Sequence, residues 1–207
     1  DHGLPPLTVF VGINLSFWPL GSLWRRANMV FIRRGGDDPV YRCTLRHYLA
    51  HLVSQRRPLQ WFIEGTRSRT GKLGPPRLGL LACIADAYRD GRIDGLQFVP
   101  VSVSYDQLQE VAEYAGEARG AGKTAESLGW LVRFVRAQRG RFGTVYVRFG
   151  EPVSARTILG GPEDARSASP EVRKLALQKL AFEVSCRIND SIPITGSALL
   201  TLTLLGA

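Results

Sequence analysis

Short apolar runs rich in β-branched and aromatic residues alternate along this chain with stretches whose apolar residues recur at helical spacing. That alternation restricts the fold more than any other feature. Leu7 to Ile13 and Met29 to Ile32 are such runs, each followed by polar or glycine residues, and both are expected as buried strands. Between Pro39 and Ser54, apolar Tyr41, Leu45, Tyr48, Leu49 and Leu52 share one helical face while Arg42 and Arg46 fall elsewhere. The spacing predicts an amphipathic helix, capped by Asp37 or Asp38 with Pro39 in its first turn. The pattern then repeats: Leu59 to Ile63 as strand, Leu78 to Arg89 as helix, Phe98 to Val103 as strand, a helix over Glu126 to Arg139, and Thr144 to Phe149 as strand. A polar stretch containing Gly, Pro and Ser runs from Gly160 to Pro170, and Val172, Leu175, Ala176, Leu180, Val184 and Ile188 form a last helical stripe. Strands alternating with helices imply an α/β fold with a mostly parallel central sheet flanked by helices.

The chain has 207 residues, enough for one such domain with a sizeable core, and its 44% hydrophobic and 22% charged residues suit a folded globular chain. An excess of 27 Lys and Arg over 18 Asp and Glu gives a formal charge of +9, which favours anionic partners. Charge alone does not choose among phosphorylated metabolites, nucleic acid and an anionic membrane surface. Cys43, Cys83 and Cys186 are few and far apart, so neither a disulfide framework nor a Cys-x-x-Cys metal site is expected. No continuous apolar run of 18 residues is present to form a spanning helix.

The cations are concentrated after predicted strands. Glu64-Gly65-Thr66-Arg67-Ser68-Arg69-Thr70-Gly71-Lys72 places three cations, three hydroxyls and two glycines in nine residues. Guanidinium forks pair with phosphate oxygens in bidentate fashion, hydroxyls and amides add donors, and glycines let the backbone approach an anion. Open α/β sheets bind ligands in loops of this kind, outside the carboxyl ends of parallel strands. A solvated basic turn would carry the same charges. Glu64 favours the binding reading, because a carboxylate directly after a buried strand is placed to orient the arginines that follow it. A nucleotide P-loop is excluded by spacing: five residues separate Gly65 from Gly71 where four are required, and Leu73 stands where a hydroxyl must meet magnesium. Phe31-Ile32-Arg33-Arg34-Gly35-Gly36 puts a second pair of cations at a strand end, where either arginine could instead pair with Asp37, Asp38 or Glu64.

Phe62 to Lys72 resembles the third conserved block of the glycerolipid acyltransferase superfamily, in the longer form of bacterial membrane-bound glycerol-3-phosphate acyltransferases. Gly12 to Pro19 with Arg25-Arg26 resembles the approach to the second block, Phe31-Ile32-Arg33-Arg34 the block itself, Val99 to Asp106 the fourth block, and Phe149-Gly150-Glu151-Pro152 the ending that follows the core. The resemblance implies that Arg34, Arg67, Arg69 and Lys72 bind the phosphate of glycerol 3-phosphate. Arg33, Glu64, Gly65, Thr66 and Ser68 would support that motif, and Pro100 would shape the acyl side. It implies acyl-CoA or acyl carrier protein as donor, and a membrane-associated enzyme at the cytoplasmic face of the bacterial inner membrane, against an anionic lipid surface. It also implies an acyltransferase core over residues 1–159, a linker over 160–170, and a C-terminal helix with a truncated apolar tail over 171–207.

The superfamily's first block, a histidine separated by four residues from an aspartate, supplies the general base. None of His2, His47 and His51 has Asp five positions on, so the catalytic pair is expected upstream of Asp1 and the chain alone is expected to be inactive. His47 and His51 stand one helical turn apart, but Tyr48 occupies the place of a zincin glutamate and no third ligand accompanies them, so no metal is expected. No bound cofactor is implied either. Trp18, Trp24, Trp61 and Trp130 read as core or membrane-edge residues. An acceptor such as dihydroxyacetone phosphate or a lysophospholipid would keep the same chemistry. A non-catalytic module binding phospholipid or nucleic acid is the alternative of another class. Nucleic acid is disfavoured because no aromatic-interleaved basic stripe accompanies the two arginine turns.

Overall fold

A computed structural model of the chain describes residues 6–16, 18, 20–33, 38–65, 72–105 and 144–205. It divides into two compact units, one formed by residues 1–99 and 152–186, the other by 100–151 and 187–207.

In the first unit, Thr8–Gly12 (β1), Met29–Ile32 (β2) and Leu59–Gln60 (β3) form a parallel sheet in the order β2-β1-β3. The register pairs Val9 with Met29 through Gly12 with Ile32 on one side of β1, and Thr8 with Leu59 and Val9 with Gln60 on the other. Thr8 is buried at 1% exposure, and its hydroxyl accepts from the Asn28 amide at 3.1 Å. Asn28 takes the left-handed backbone conformation at φ 64°, which Asn tolerates better than most residues, and so turns the chain from helix Leu20–Arg26 (α1) into β2.

Helix Pro39–Ser54 (α2) begins and ends where the sequence predicts. Asp38 is the cap: its carboxylate accepts from the amides of Val40 at 2.9 Å and Tyr41 at 3.3 Å. Leu49, Leu52 and Val53 of α2 are buried, as are Leu81, Ile84 and Tyr88 of helix Leu78–Arg89 (α3), against which α2 packs. The polar margin of that contact is ionic, with Asp86 bonded to Arg89 and 3.6 Å from Arg46.

Two expected strands differ from the sequence reading. The run Leu59 to Ile63 pairs only through Gln60, because the Phe62 carbonyl accepts from Gly65 and the Ile63 carbonyl from Arg77, which withdraws both from a ladder. The run Phe98 to Val103 is two strands, Gln97–Phe98 (β4) and Val101–Tyr105 (β5), interrupted at Pro100, which has no amide hydrogen to donate. β4 pairs antiparallel with Val153–Ser154 (β7), while β5 pairs antiparallel with Val145–Phe149 (β6). The parallel arrangement thus belongs to β1, β2 and β3.

The stretch 160–170, expected as a linker, contains a helix. After Ala155–Leu159 (α4), Pro162–Ser167 (α5) starts with Pro162 in its first turn and Glu163 and Asp164 beside it. Proline and acids at those positions favour a helix start, and burial of Ala165 at 4% exposure ties the segment to the core. The last stripe is helix Pro170–Asp190 (α6), whose first residues complete this unit. The expected helix over 126–139 lies outside the described residues.

In the second unit, the Gly150 amide donates to the Pro100 carbonyl at 2.8 Å, and the Ser102 hydroxyl donates to the Ser191 carbonyl at 2.9 Å. Register places Val101 opposite Phe149, Val103 opposite Val147 and Tyr105 opposite Val145, and all six are exposed. The apolar tail forms helix Gly196–Leu205 (α7), where Leu199, Leu200, Leu202, Leu204 and Leu205 are exposed. Among the described residues no helix is long and apolar enough to cross a membrane.

Because Asp38 satisfies two otherwise unpaired amides, Asp38→Ala is expected to lower unfolding stability by about 1 kcal/mol, and Asp38→Asn by appreciably less. Urea unfolding of both variants checks this, with the m-value unchanged.

Candidate functional site

The parallel sheet brings the residues that open the two basic segments to the same edge. β2 and β3 run in one direction on either side of β1, so Arg33, after β2, and Glu64, beyond β3, both leave the carboxyl end of the sheet. With β1 between them, β2 and β3 lie about 10 Å apart. Arg33 is described in detail: its amide donates to the Tyr41 hydroxyl at 2.9 Å, and its guanidinium carbon lies 5.6 Å from the centroid of the Tyr41 ring. The backbone and side chain of Arg33 are both engaged by α2 as the chain enters the turn. Arg34, Thr66, Arg67, Ser68 and Arg69 lie outside the described residues.

The base of the second loop is clasped from both sides. A carboxylate oxygen of Glu64 accepts from the Gly74 amide, and the Ile63 carbonyl accepts from the Arg77 amide at 2.7 Å. Gly65 adopts φ +65°, and a Cβ there would stand 3.2 Å from Cγ of Arg77. Backbone conformation therefore favours glycine at this position, and a Cβ there would press on the Arg77 stem. The structure places Glu64 on backbone, in a role the sequence reading did not anticipate: it closes a loop spanning ten positions. Lys72 is exposed just inside that closure. Trp61, two positions before Ile63, meets Phe98 edge-on at 6.5 Å and anchors the approach to the loop.

Pro100 is fully buried in the second unit, where its ring is 3.4 Å from the position a Cβ on Gly150 would take. It ends one strand and begins another, as described above.

A second gathering of arginines lies in the first unit, around a cavity of about 20 Å³ lined by Arg89, Leu159, Ala165, Ala168, Val172, Arg173 and Ala176. This is room for little more than one water. Its cations already have partners: Arg89 bonds Asp86, and Arg173 donates to the carbonyls of Ala168 at 2.9 Å and of Arg166. Burial, with Arg173 adding repulsion, pushes the Arg89 guanidinium below its ordinary pKa. The cluster joins helices and has no space for a phosphate.

His47 is exposed and its Nδ1 lies 2.9 Å from the Cys43 carbonyl one turn back on α2. Among the described residues no three His, Cys, Asp or Glu side chains come together as a metal site would need.

Residues 1–104 match the acyltransferase family model, and residues 114–207 match the model of the glycerol-3-phosphate acyltransferase C-terminal region. The plsB1 protein of Mycobacterium tuberculosis (strain ATCC 25618 / H37Rv) is 44% identical over 207 residues, covering 99% of this chain and 32% of its own length. The plsB1 protein of Mycobacterium bovis matches equally. A glycerol-3-phosphate acyltransferase of Pasteurella multocida is 36% identical over 212 residues, covering 97% of this chain and 26% of its own length. The chain thus spans about a third or less of the length of these relatives. A parallel sheet from whose carboxyl edge Arg33 and Glu64 both leave, within a family match that spans residues 1–104, leads to one assignment: the chain belongs to the acyltransferase family.

Proposed function

We propose that this chain is the phosphate-binding part of a glycerol-3-phosphate acyltransferase. The observation that carries the reading is the clasped loop between Glu64 and Gly74, at the same sheet edge as Arg33. Arg34, Arg67 and Arg69 supply guanidinium groups to the substrate phosphate and Lys72 adds charge, while Arg33, Gly65, Thr66 and Ser68 support the two turns. In the whole protein a histidine held by an aspartate, in a segment preceding Asp1, removes the proton of the sn-1 hydroxyl of glycerol 3-phosphate. The hydroxyl oxygen then attacks the carbonyl carbon of an acyl thioester on coenzyme A or acyl carrier protein. The C–S bond breaks, the thiol leaves with a proton, and lysophosphatidate is formed for phospholipid synthesis. The chain's own residues bind and orient the acceptor, which converts a bimolecular encounter into a positioned one. Pro100 shapes the acyl side.

Residues 1–159 serve as the core of that enzyme, and the reading places it on the cytoplasmic side of a bacterial membrane. The support for a lipid surface is the exposed leucine set of α7, together with the +9 charge, which favours anionic headgroups.

Two comparisons test the binding assignment in the full-length protein. Arg67→Ala is expected to raise the Michaelis constant for glycerol 3-phosphate about ten- to hundredfold, since losing a hydrogen bond to a charged group costs roughly 1.5–3 kcal/mol. Lys72→Ala, removing a screened point charge, is expected to raise it about threefold or less. Steady-state kinetics at saturating acyl thioester decide between them, and small, equal effects would make the loop a solvated turn.

The closure by Glu64 makes a separate prediction. A glutamine oxygen can still accept from the Gly74 amide, so Glu64→Gln is expected to stay within about threefold of the native Michaelis constant, whereas Glu64→Ala frees the loop and raises it about tenfold. Equal damage by both variants would show that the negative charge, acting on the arginines, is what matters.

A further inference from the structure

The chain leaves β1 through a short segment that turns apolar side chains to solvent. A 3-10 helix, Ile13–Leu15, follows β1 directly, so the segment starts at the carboxyl edge of the parallel sheet, the edge that Arg33 and Glu64 also leave. Trp18 is 80% exposed, and Ile13 before it and Leu23 after it are exposed too. Few side chains have more apolar surface to bury than tryptophan.

Close contacts fix the segment. Gly21 is buried against the Ser16 backbone, with no room for a Cβ beside the Ser16 carbonyl, so the chain turns back sharply with Trp18 inside the turn. Helix α1 then lies against β2, where the Arg25 guanidinium carbon is 5.6 Å from the centroid of the Phe31 ring. Beyond α1, the Asn28 amide donates to the Leu7 carbonyl at 3.2 Å and to the Thr8 hydroxyl at 3.1 Å, which ties the end of the segment to the start of β1.

Charge selects the partner. Residues 6–33 contain Arg25, Arg26 and Arg33 and no Asp or Glu, and Arg25 and Arg26 are exposed directly after Leu23 and Trp24. Exposed tryptophan and leucine followed by arginines, with no carboxylate among them, suit the headgroup region of an anionic bilayer. The ring lies between headgroups and upper acyl chains, and the guanidinium groups meet phosphates.

We propose that Trp18, with Ile13, Leu23, Arg25 and Arg26, docks the carboxyl edge of the parallel sheet on an anionic lipid bilayer. The proposal rests on the membrane reading above and adds to it the face that meets the lipid. The edge that Arg33 and Glu64 leave is then turned towards the headgroups, so that an acylated product forms beside the surface that takes it up.

The test is co-sedimentation of the full-length protein with vesicles of phosphatidylcholine alone and of phosphatidylcholine mixed with phosphatidylglycerol. Trp18→Ala is expected to lower partitioning into both about tenfold. Arg25→Gln combined with Arg26→Gln is expected to lower it about tenfold for the mixed vesicles only. Because Trp18 is exposed, the Tm of Trp18→Ala is expected to be native, and its acyl transfer in detergent micelles to stay within about twofold. Phe182→Ala, which removes an aromatic 69% exposed on α6, is the control and is expected to bind as the native protein does. Native protein that binds neither vesicle ends the membrane reading and the proposal together. If native protein binds but Trp18→Ala binds equally well, or Phe182→Ala loses as much, or the arginine variant loses nothing on mixed vesicles, the reading stands and the proposal falls. A lower Tm for Trp18→Ala, with activity lost in detergent, would show that another part of the protein covers Trp18 and would overturn the proposal.

Discussion

The bond from the Glu64 carboxylate to the Gly74 amide, with the Ile63 carbonyl on the Arg77 amide beside it, is the constraint on which the proposed binding site depends. A loop of many cations repels itself, and its backbone carries amides that need partners wherever water is excluded. Closing its base with two hydrogen bonds fixes where it begins and ends.

The sheet supplies the second requirement. Parallel strands of one direction bring their carboxyl ends to one edge, and the central position of β1 sets β2 and β3 on either side of it. Arg33 is fixed there by Tyr41 of α2, through an amide-to-hydroxyl bond and the face of the ring. Helix α2 itself is held by Asp38 at its start and by buried Leu49 and Leu52 further along. Local capping, core packing and the placement of a cation are thus successive consequences of one segment, residues 38–54.

How much of this is legible in the sequence depends on how local the deciding interaction is. The bounds of α2 and α3 are legible because apolar periodicity and, for α2, a cap and proline all agree. The end of β3 is not, since the carbonyls of Phe62 and Ile63 are taken by Gly65 and by distant Arg77. Pro100 could have signalled the break between β4 and β5, which the reading of one strand over Phe98 to Val103 missed, and the antiparallel partners of those strands are far along the chain. The helix at 162–167 was hidden in polar composition, although Pro162, Glu163 and Asp164 form a recognisable helix start. At the site, the glycines, arginines and Glu64 were visible as a phosphate-binding composition, while the partner of Glu64 was not.

The central claim is that the loop from Glu64 to Arg77 holds the phosphate of the acceptor. Hydrogen exchange of the full-length protein, with and without saturating glycerol 3-phosphate, tests it most directly. The account predicts slower exchange in peptides covering residues 62–77 and 33–38, with no such change when glycerol replaces its phosphate ester. Unchanged exchange across residues 62–77, with protection induced by glycerol 3-phosphate elsewhere in the protein, would contradict it.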